Sequence, residues 1–401
     1  AIEASEVLLA KGGGETEKQI YRFTKGDSDL SLRFDLTVPL AKYVAQHYGE
    51  LTFPFRRFQI GKVYRGERAQ RGRFREFYQA DIDVIGDGKL DIINEAEVPS
   101  IIYKTFTSLG LERFKIRINN RKVLNGFFAI LGLTEKAGDV MRTIDKLEKI
   151  GAEKVKTILV EDFGVEAATA DELLAFIETP GGTEGILAAL DSYKGKNEVF
   201  DLGAEELKTV ANYMTAFGVP ADHFEIDLTI ARGLDYYTGS VYETFLDGAA
   251  SLGSICSGGR YDNLASQGNK KYPGVGLSIG LSRLVSYMLH AAGAHANRVS
   301  PASVLVAVWN EADRSASNVI ANQLRARGIA ADVAPTAAKL GKQIKYADKL
   351  GVPYVWFPSD AAEDGVGDEV KNIITGDQQP ADARSWEPDT VYARQTVTVE
   401  A

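Results

Sequence analysis

Cysteine is almost missing from this chain: its 401 residues hold one, Cys256, so no internal disulfide can form. That usage fits a reducing compartment. Histidine is scarce as well, with four scattered residues, and no zinc-site spacing of Cys and His occurs. No apolar run nears the roughly 18 residues that a membrane helix needs. No basic-then-apolar leader opens the chain, so the expected location is cytoplasmic. Excess positive charge is lacking too, since the net charge is −9. No global field draws in nucleic acid, and any such contact must use local patches. The length calls for two or three domains.

What is present reads as alternating blocks. Residues 1–119 mix strands and helices. Pro39 is suited to the first turn of a helix with Leu40, Ala41, Val44 and Tyr48 at apolar spacing. Strand-like runs follow at 56–65 and 76–85, then a helix over 91–108. Residues 120–221 are rich in Ala, Glu, Lys and Leu at helical spacing, for example Leu187, Leu190, Leu207, Val210 and Met214. Strand character returns in 222–298. Residues 302–401 form a separate α/β block, with strands predicted at 304–308, 329–333 and 354–357 and helices at 313–327 and 337–350. This order implies a parallel sheet. The acidic, polar stretch 359–389 reads as loops, and Ser300-Pro301 as the boundary.

Charge is concentrated in one hairpin. From Arg56 to Glu76 there are eight basic residues, seven of them Arg, against Glu67 and Glu76. Guanidinium forks suit phosphate and carboxylate. The alternative is a solvated charged hairpin. The next strand favours a pocket wall: alternation puts Gln79, Asp81 and Asp83 on one face and Tyr78, Ala80, Ile82 and Val84 on the other. Downstream, Pro273 to Leu284 is a Gly-rich strand running into a helix that carries Arg283. Such a turn can hold phosphates, though close helix–sheet packing explains the glycines equally well. Cys256, beside Ile255, reads as a small core residue.

These segments resemble the class II aminoacyl-tRNA synthetases. Phe58 to Glu67 with Gly72 to Phe77 is similar to motif 2, and Pro273 to Leu284 to motif 3. Ala231-Arg232-Gly233-Leu234-Asp235-Tyr236-Tyr237 and Ser257-Gly258-Gly259-Arg260-Tyr261-Asp262 resemble the two signatures of the histidyl-tRNA synthetases. The resemblance implies an α+β core on an antiparallel sheet, a helical insertion and a C-terminal α/β anticodon-binding domain. It implies that histidine and ATP form histidyl-adenylate and pyrophosphate, and that tRNA(His) then takes the histidyl group at its 3′ end. Arg65 and Arg232 take the catalytic roles, and Arg65, Glu67, Arg73 and Arg283 hold ATP. Asp35, Thr37, Gln79, Asp83, Arg232, Leu234, Tyr236, Tyr237 and Tyr261 surround histidine. Within that set Asp35, Thr37 and Gln79 match the α-amino positions, and Asp83 faces the imidazole. ATP comes with Mg²⁺; no zinc and no organic prosthetic group is implied.

In the last block, Lys339, Lys342, Lys345 and Lys349 recur at helical spacing, either a solvated face or a stripe for RNA phosphates. The family also implies a homodimer, built through a motif 1 expected ahead of Ala1, and joins near Gly12-Gly13-Gly14 and Gln267-Gly268-Asn269 are short for it. The chain departs at Asp35-Leu36-Thr37, where many bacterial members carry Glu-Gly-Thr; the carboxylate and hydroxyl are kept. Two non-catalytic relatives are the alternatives: a regulatory subunit of ATP phosphoribosyltransferase and a tRNA-sensing synthetase-like module. Both fit less well, since the Arg-Gly-Leu-Asp-Tyr-Tyr segment, Arg65, Arg283 and the C-terminal block are all present.

Overall fold

The computed structural model describes residues 1–9, 17–67, 72–231, 236–266, 268–291, 293–359 and 367–399. The chain divides after Tyr287 into two compact units. The first unit opens on a small antiparallel sheet of β1 (Ile2–Ala4), β2 (Arg22–Lys25) and β3 (Ser28–Leu32), in the order β1-β3-β2. Helix α1 (Ser5–Leu9) follows β1, and α2 (Thr37–His47) follows β3. Pro39 lies in the first turn of α2, where its missing N–H costs no helix hydrogen bond. Val38, Leu40, Ala41 and Val44 are buried, whereas Tyr48 falls past the helix end and is exposed.

The main sheet has seven strands: β4 (Phe55–Tyr64), β5 (Glu76–Ile85), β6 (Phe114–Asn120), β7 (Phe224–Ile226), β8 (Ser240–Leu246), β9 (Cys256–Tyr261) and β10 (Gly274–Ile279). Their order is β4-β5-β10-β9-β8-β6-β7, and every pairing is antiparallel except β6 with β7. Helix α3 (Ile93–Ser108) joins β5 to β6. Seven helices separate β6 from β7: α4 (Arg121–Ile130), α5 (Ala137–Ile144), α6 (Leu147–Ile150), α7 (Ala152–Glu161), α8 (Ala167–Ile177), α9 (Gly182–Ser192) and α10 (Glu198–Ala216). Asn197 caps α10 by accepting from Val199 and Phe200 N–H at 2.9 and 3.1 Å. Phe200 then joins Phe127, Phe176 and Tyr193 in one aromatic cluster, with Phe127 stacked on Phe176 at 3.8 Å. After β10 comes α11 (Leu281–His290).

In the second unit, β12 (Val304–Val306), β13 (Ala331–Val333) and β14 (Tyr354–Phe357) are parallel, as the strand–helix alternation requires. Helices α12 (Arg314–Ala326) and α13 (Leu340–Leu350) connect them. Gly351 ends α13 in the left-handed region at φ 69°, which only glycine adopts without cost. The stretch predicted as loops is corrected. It contains β15 (Glu369–Asn372) and β16 (Gln378–Pro380), which extend the sheet antiparallel in the order β13-β12-β14-β15-β16. These short polar strands carry little strand propensity of their own and are set by the ladder against β14. Ahead of β12, β11 (His295–Ala296) pairs with β17 (Val397–Thr398). Arg298 donates to the carbonyls of Ser300 and Tyr392, so residues just before Ser300-Pro301 are tied into this unit.

Candidate active site

The β4–β5 hairpin sorts its residues by register. Arg57 pairs with Asp83, Gln59 with Asp81 and Gly61 with Gln79 on one face; Phe58 pairs with Ile82, Ile60 with Ala80 and Lys62 with Tyr78 on the other. The acids were read as one wall, with packing residues behind them. The structure inverts the expected burial. Gln79, Asp81 and Asp83 are buried, while Phe58 is 80% exposed, Ile60 60% and Tyr78 43%.

Asp83 is held from two sides. Tyr261 donates to Oδ1 at 2.8 Å, and Arg57 Nη2 lies 2.9 Å from Oδ2. Burial pushes the Asp83 carboxyl above its ordinary range, and Arg57 opposes that push. Asp81 accepts from Ser278 Oγ at 2.5 Å and is pushed up to about 7, by burial first and the Asp83 charge second. Asp35 caps α2 through Val38 N–H at 2.9 Å and accepts from Tyr236 OH at 3.3 Å. Its carboxyl too is raised by burial. Tyr236 also hydrogen-bonds Thr37 and Tyr237, and burial keeps all three tyrosines, Tyr236, Tyr237 and Tyr261, firmly protonated. Asp35, Thr37, Asp83, Tyr236, Tyr237 and Tyr261 are therefore brought together.

Two glycines make room for this cluster. A Cβ on Gly276 of β10 would come 2.2 Å from Asp83 Oδ1. One on Gly259 of β9 would meet Ser240 O at 2.6 Å and the Tyr237 ring at 3.0 Å. The second signature is thus partly steric, and its Arg260 is structural: it pairs with buried Glu95 at 2.6 Å and with Asp262 at 3.0 Å.

Beside this pocket lies a cavity with about 510 Å³ of empty space, lined by Arg65, Glu67, Arg73, Gln79 and Arg283 among others. All four proposed ATP residues meet there. Arg65 stacks over the Phe34 ring at 4.3 Å, and its Nε donates to Phe34 O at 3.3 Å. Arg283 donates to Gly72 O at 2.8 Å and Ser254 O at 2.6 Å, which fixes its fork between the β4–β5 connection and the residues just before β9. Arg73 reaches Glu67 at 3.4 Å. Burial lowers both Arg65 and Arg283, and neighbouring Arg73 adds to the effect at Arg283. Guanidinium groups crowded against one another in a partly dry cavity attract a polyanion. Gln79 and Asp83 share a strand face four residues apart, so the two regions are separated by roughly 13 Å of strand rise.

Arg232 and Leu234 lie outside the described residues, as do Arg68 and Arg71. Cys256 is buried, and burial raises its thiol far from reactivity. Lys342, Lys345 and Lys349 are exposed on α13, with Lys339 just before its first turn. Sequence reasoning missed the Arg57–Asp83 pair, the Ser278–Asp81 bond and the Arg260–Glu95 bridge. The first was within reach, because pairing the two hairpin strands puts Arg57 opposite Asp83.

Comparisons with known proteins agree over both units. Residues 1–284 match the family model described as histidyl-tRNA synthetase, and residues 303–358 match that of the anticodon binding domain. A histidine–tRNA ligase of Bifidobacterium longum subsp. infantis is 59% identical over 100% of this chain and 91% of its own length. One from Clostridium tetani is 53% identical over 94% of this chain and 86% of its own. The crystal structure of histidyl-tRNA synthetase from a Nostoc species superposes with a TM-score of 0.82 at 39% identity, covering 94% of this chain and 87% of that one.

Proposed function

Since the chain belongs to the histidyl-tRNA synthetase family, we propose that the acid-lined pocket takes histidine and the arginine-lined cavity takes ATP. The overall reaction is ligation of histidine to tRNA. The histidine carboxylate attacks the α-phosphorus of ATP; pyrophosphate leaves, and histidyl-adenylate forms. The 3′-terminal ribose hydroxyl of tRNA(His) then attacks the histidyl carbonyl, and AMP leaves. Neither step needs a covalent enzyme intermediate, so catalysis rests on positioning and charge stabilisation. Arg65 and Arg232 stabilise charge at the α-phosphate; Arg73 and Arg283 hold the outer phosphates. Glu67 lies on the adenine side. Mg²⁺ arrives bound to ATP as part of the substrate and neutralises phosphate charge.

Asp83 receives one imidazole nitrogen and protonated Tyr237 the other. Asp35, Thr37 and Gln79 take the α-ammonium, and Tyr236 completes the pocket wall; Leu234 is assigned to histidine with them. The observation that carries this reading is the Asp83 carboxylate, buried on the same strand face as Gln79 at the edge of the arginine cavity. Residues 1–119 and 222–298 would be the two parts of the catalytic core, 120–221 an insertion that contacts the tRNA acceptor arm, and 302–401 the anticodon-binding domain. The lysines of α13 would meet tRNA phosphates. The exposed apolar face of Phe58, Ile60 and Tyr78 supports a homodimer, and the setting is the cytoplasm.

The test is ATP–pyrophosphate exchange. It should require histidine, and Arg65→Ala should lower its rate at least about a hundredfold. Near-normal exchange in that variant, or in Arg232→Ala, would remove the assigned role.

A further inference from the structure

Arg57 belongs to no motif of the reaction, yet its guanidinium touches both ends of the proposed histidine pocket. Nη2 lies 2.9 Å from Asp83 Oδ2 and donates to Leu36 O at 3.1 Å; Nη1 donates to Gln59 Oε1 at 3.1 Å. Leu36 separates Asp35 from Thr37, two of the three groups placed at the α-ammonium. One cation thereby spans the acid assigned to imidazole and the backbone that carries the opposite end. The Arg57 and Asp83 side chains are only 10% and 2% exposed. Asp83 Oδ2 accepts no hydrogen bond from a described residue, so its 2.9 Å contact with Arg57 Nη2 is an ion pair alone.

The groups that face Asp83 are Arg57 from β4, Asp81 on its own strand, Tyr261 from β9, Asp35 ahead of α2, and Tyr237. Charge can be matched group by group. The α-ammonium of histidine meets Asp35, Arg57 meets Asp83, and Asp81 holds a proton for much of the time near neutral pH. That accounting leaves no acid for an imidazolium.

We infer that Arg57 is a positioning residue that sets which protonation form of histidine is accepted: paired with it, Asp83 takes the N–H of a neutral imidazole. The inference rests on the assignment of Asp83 to the imidazole. Without Arg57, the buried carboxylate would acquire its match from the substrate as an imidazolium. Histidine binding would then take up a proton, and KM would climb with pH by up to about tenfold per unit.

The experiment measures kcat and KM for histidine by pyrophosphate exchange from pH 6 to 8.5, with the full chain. In the unaltered protein, KM should fall as imidazole loses its proton near about pH 6.5 and then level off. In Arg57→Met the slope should reverse, with KM at pH 8 raised about tenfold or more, a smaller change in kcat and an unchanged KM for ATP. Arg57→Lys should restore the original slope. Arg57→Gln, which keeps a donor toward Leu36 O without the charge, gives the same readout if Arg57→Met does not fold. A slope parallel to that of the unaltered protein in both uncharged variants, whatever the offset, overturns the inference and leaves Arg57 a strand-bridging residue. Asp83→Asn separates the two levels: unchanged histidine KM there sinks the pocket assignment itself.

Discussion

Asp81 offers a quantitative check on how strongly this pocket resists charge. Its carboxyl rises from 3.8 to about 7, through burial and the neighbouring Asp83. An acid with a higher pKa in the folded state binds more protons folded than unfolded between those two values. Stability therefore falls as pH rises from about 4 to about 7, and the loss persists above that window. The shift is about three units at about 1.4 kcal/mol each, or about 4 kcal/mol. Asp81→Asn removes the charge and keeps an oxygen that can accept from Ser278 Oγ. Without ligands at pH 8 it should be more stable than the unaltered chain by up to about 4 kcal/mol, a gain of several degrees in Tm. At pH 5, only about one unit above the unfolded value, the gain should shrink to roughly 1.5 kcal/mol, because the unfolded carboxyl is ionised there while the folded one is still protonated. Thermal melts monitored by circular dichroism at both pH values decide the matter. An equal gain at pH 5 and pH 8, or none at pH 8, would refute the electrostatic account.

Two further outcomes follow from surface residues. Lys342→Glu combined with Lys345→Glu should raise KM for tRNA about tenfold in low salt and less in high salt, with histidine-dependent exchange unchanged; a salt-independent or absent effect removes the phosphate contact. Phe58→Asp puts a charge where a large apolar side chain is 80% exposed, so it should leave the fold intact and convert a dimer to a monomer in sedimentation experiments. An unchanged mass would place the subunit interface elsewhere.

The groups assigned to phosphate were legible as a cluster because their chemistry is crowded into one stretch. Seven arginines between 56 and 75 in an acidic chain have few uses, and Arg65 and Arg73 do line the cavity with Glu67. The helices and strands with strong periodicity were legible for the same local reason, and Tyr354–Phe357 was located to the residue. What was hidden depends on pairing. Alternation put Asp81 and Asp83 on one face but could not say which face is buried, since the usual rule buries Tyr78 and Ile82 instead. β15 and β16 were hidden because a neighbouring strand, and not their own polar residues, makes them strands.

On the proposed assignment, that inverted face also bears on how histidine would be told from other amino acids. A sheet surface with acids inside and Phe58 and Ile60 outside is costly unless its polar atoms are satisfied. Arg57, Tyr261 and Ser278 satisfy most of them, but Asp83 Oδ2 and Gln79 Oε1 accept no hydrogen bond from a described residue. A buried acceptor left in that state costs about 1–3 kcal/mol, and more where it is charged. A side chain that brings an N–H to Oδ2 recovers this energy on binding. One of similar size without a donor leaves it unrecovered and also displaces any water that served there. Rejection then comes from the carboxylate oxygen that is ion-paired with Arg57 but left without a hydrogen bond, more than from shape. A site of this kind discriminates by 10⁴-fold or so, where fit to a methylene alone gives about a hundredfold. On the proposed assignment, the polar pattern that makes β5 a poor core strand is also what selects histidine, and a substitution that gives Oδ2 a hydrogen bond from within the protein should weaken discrimination against apolar amino acids more than it weakens the fold.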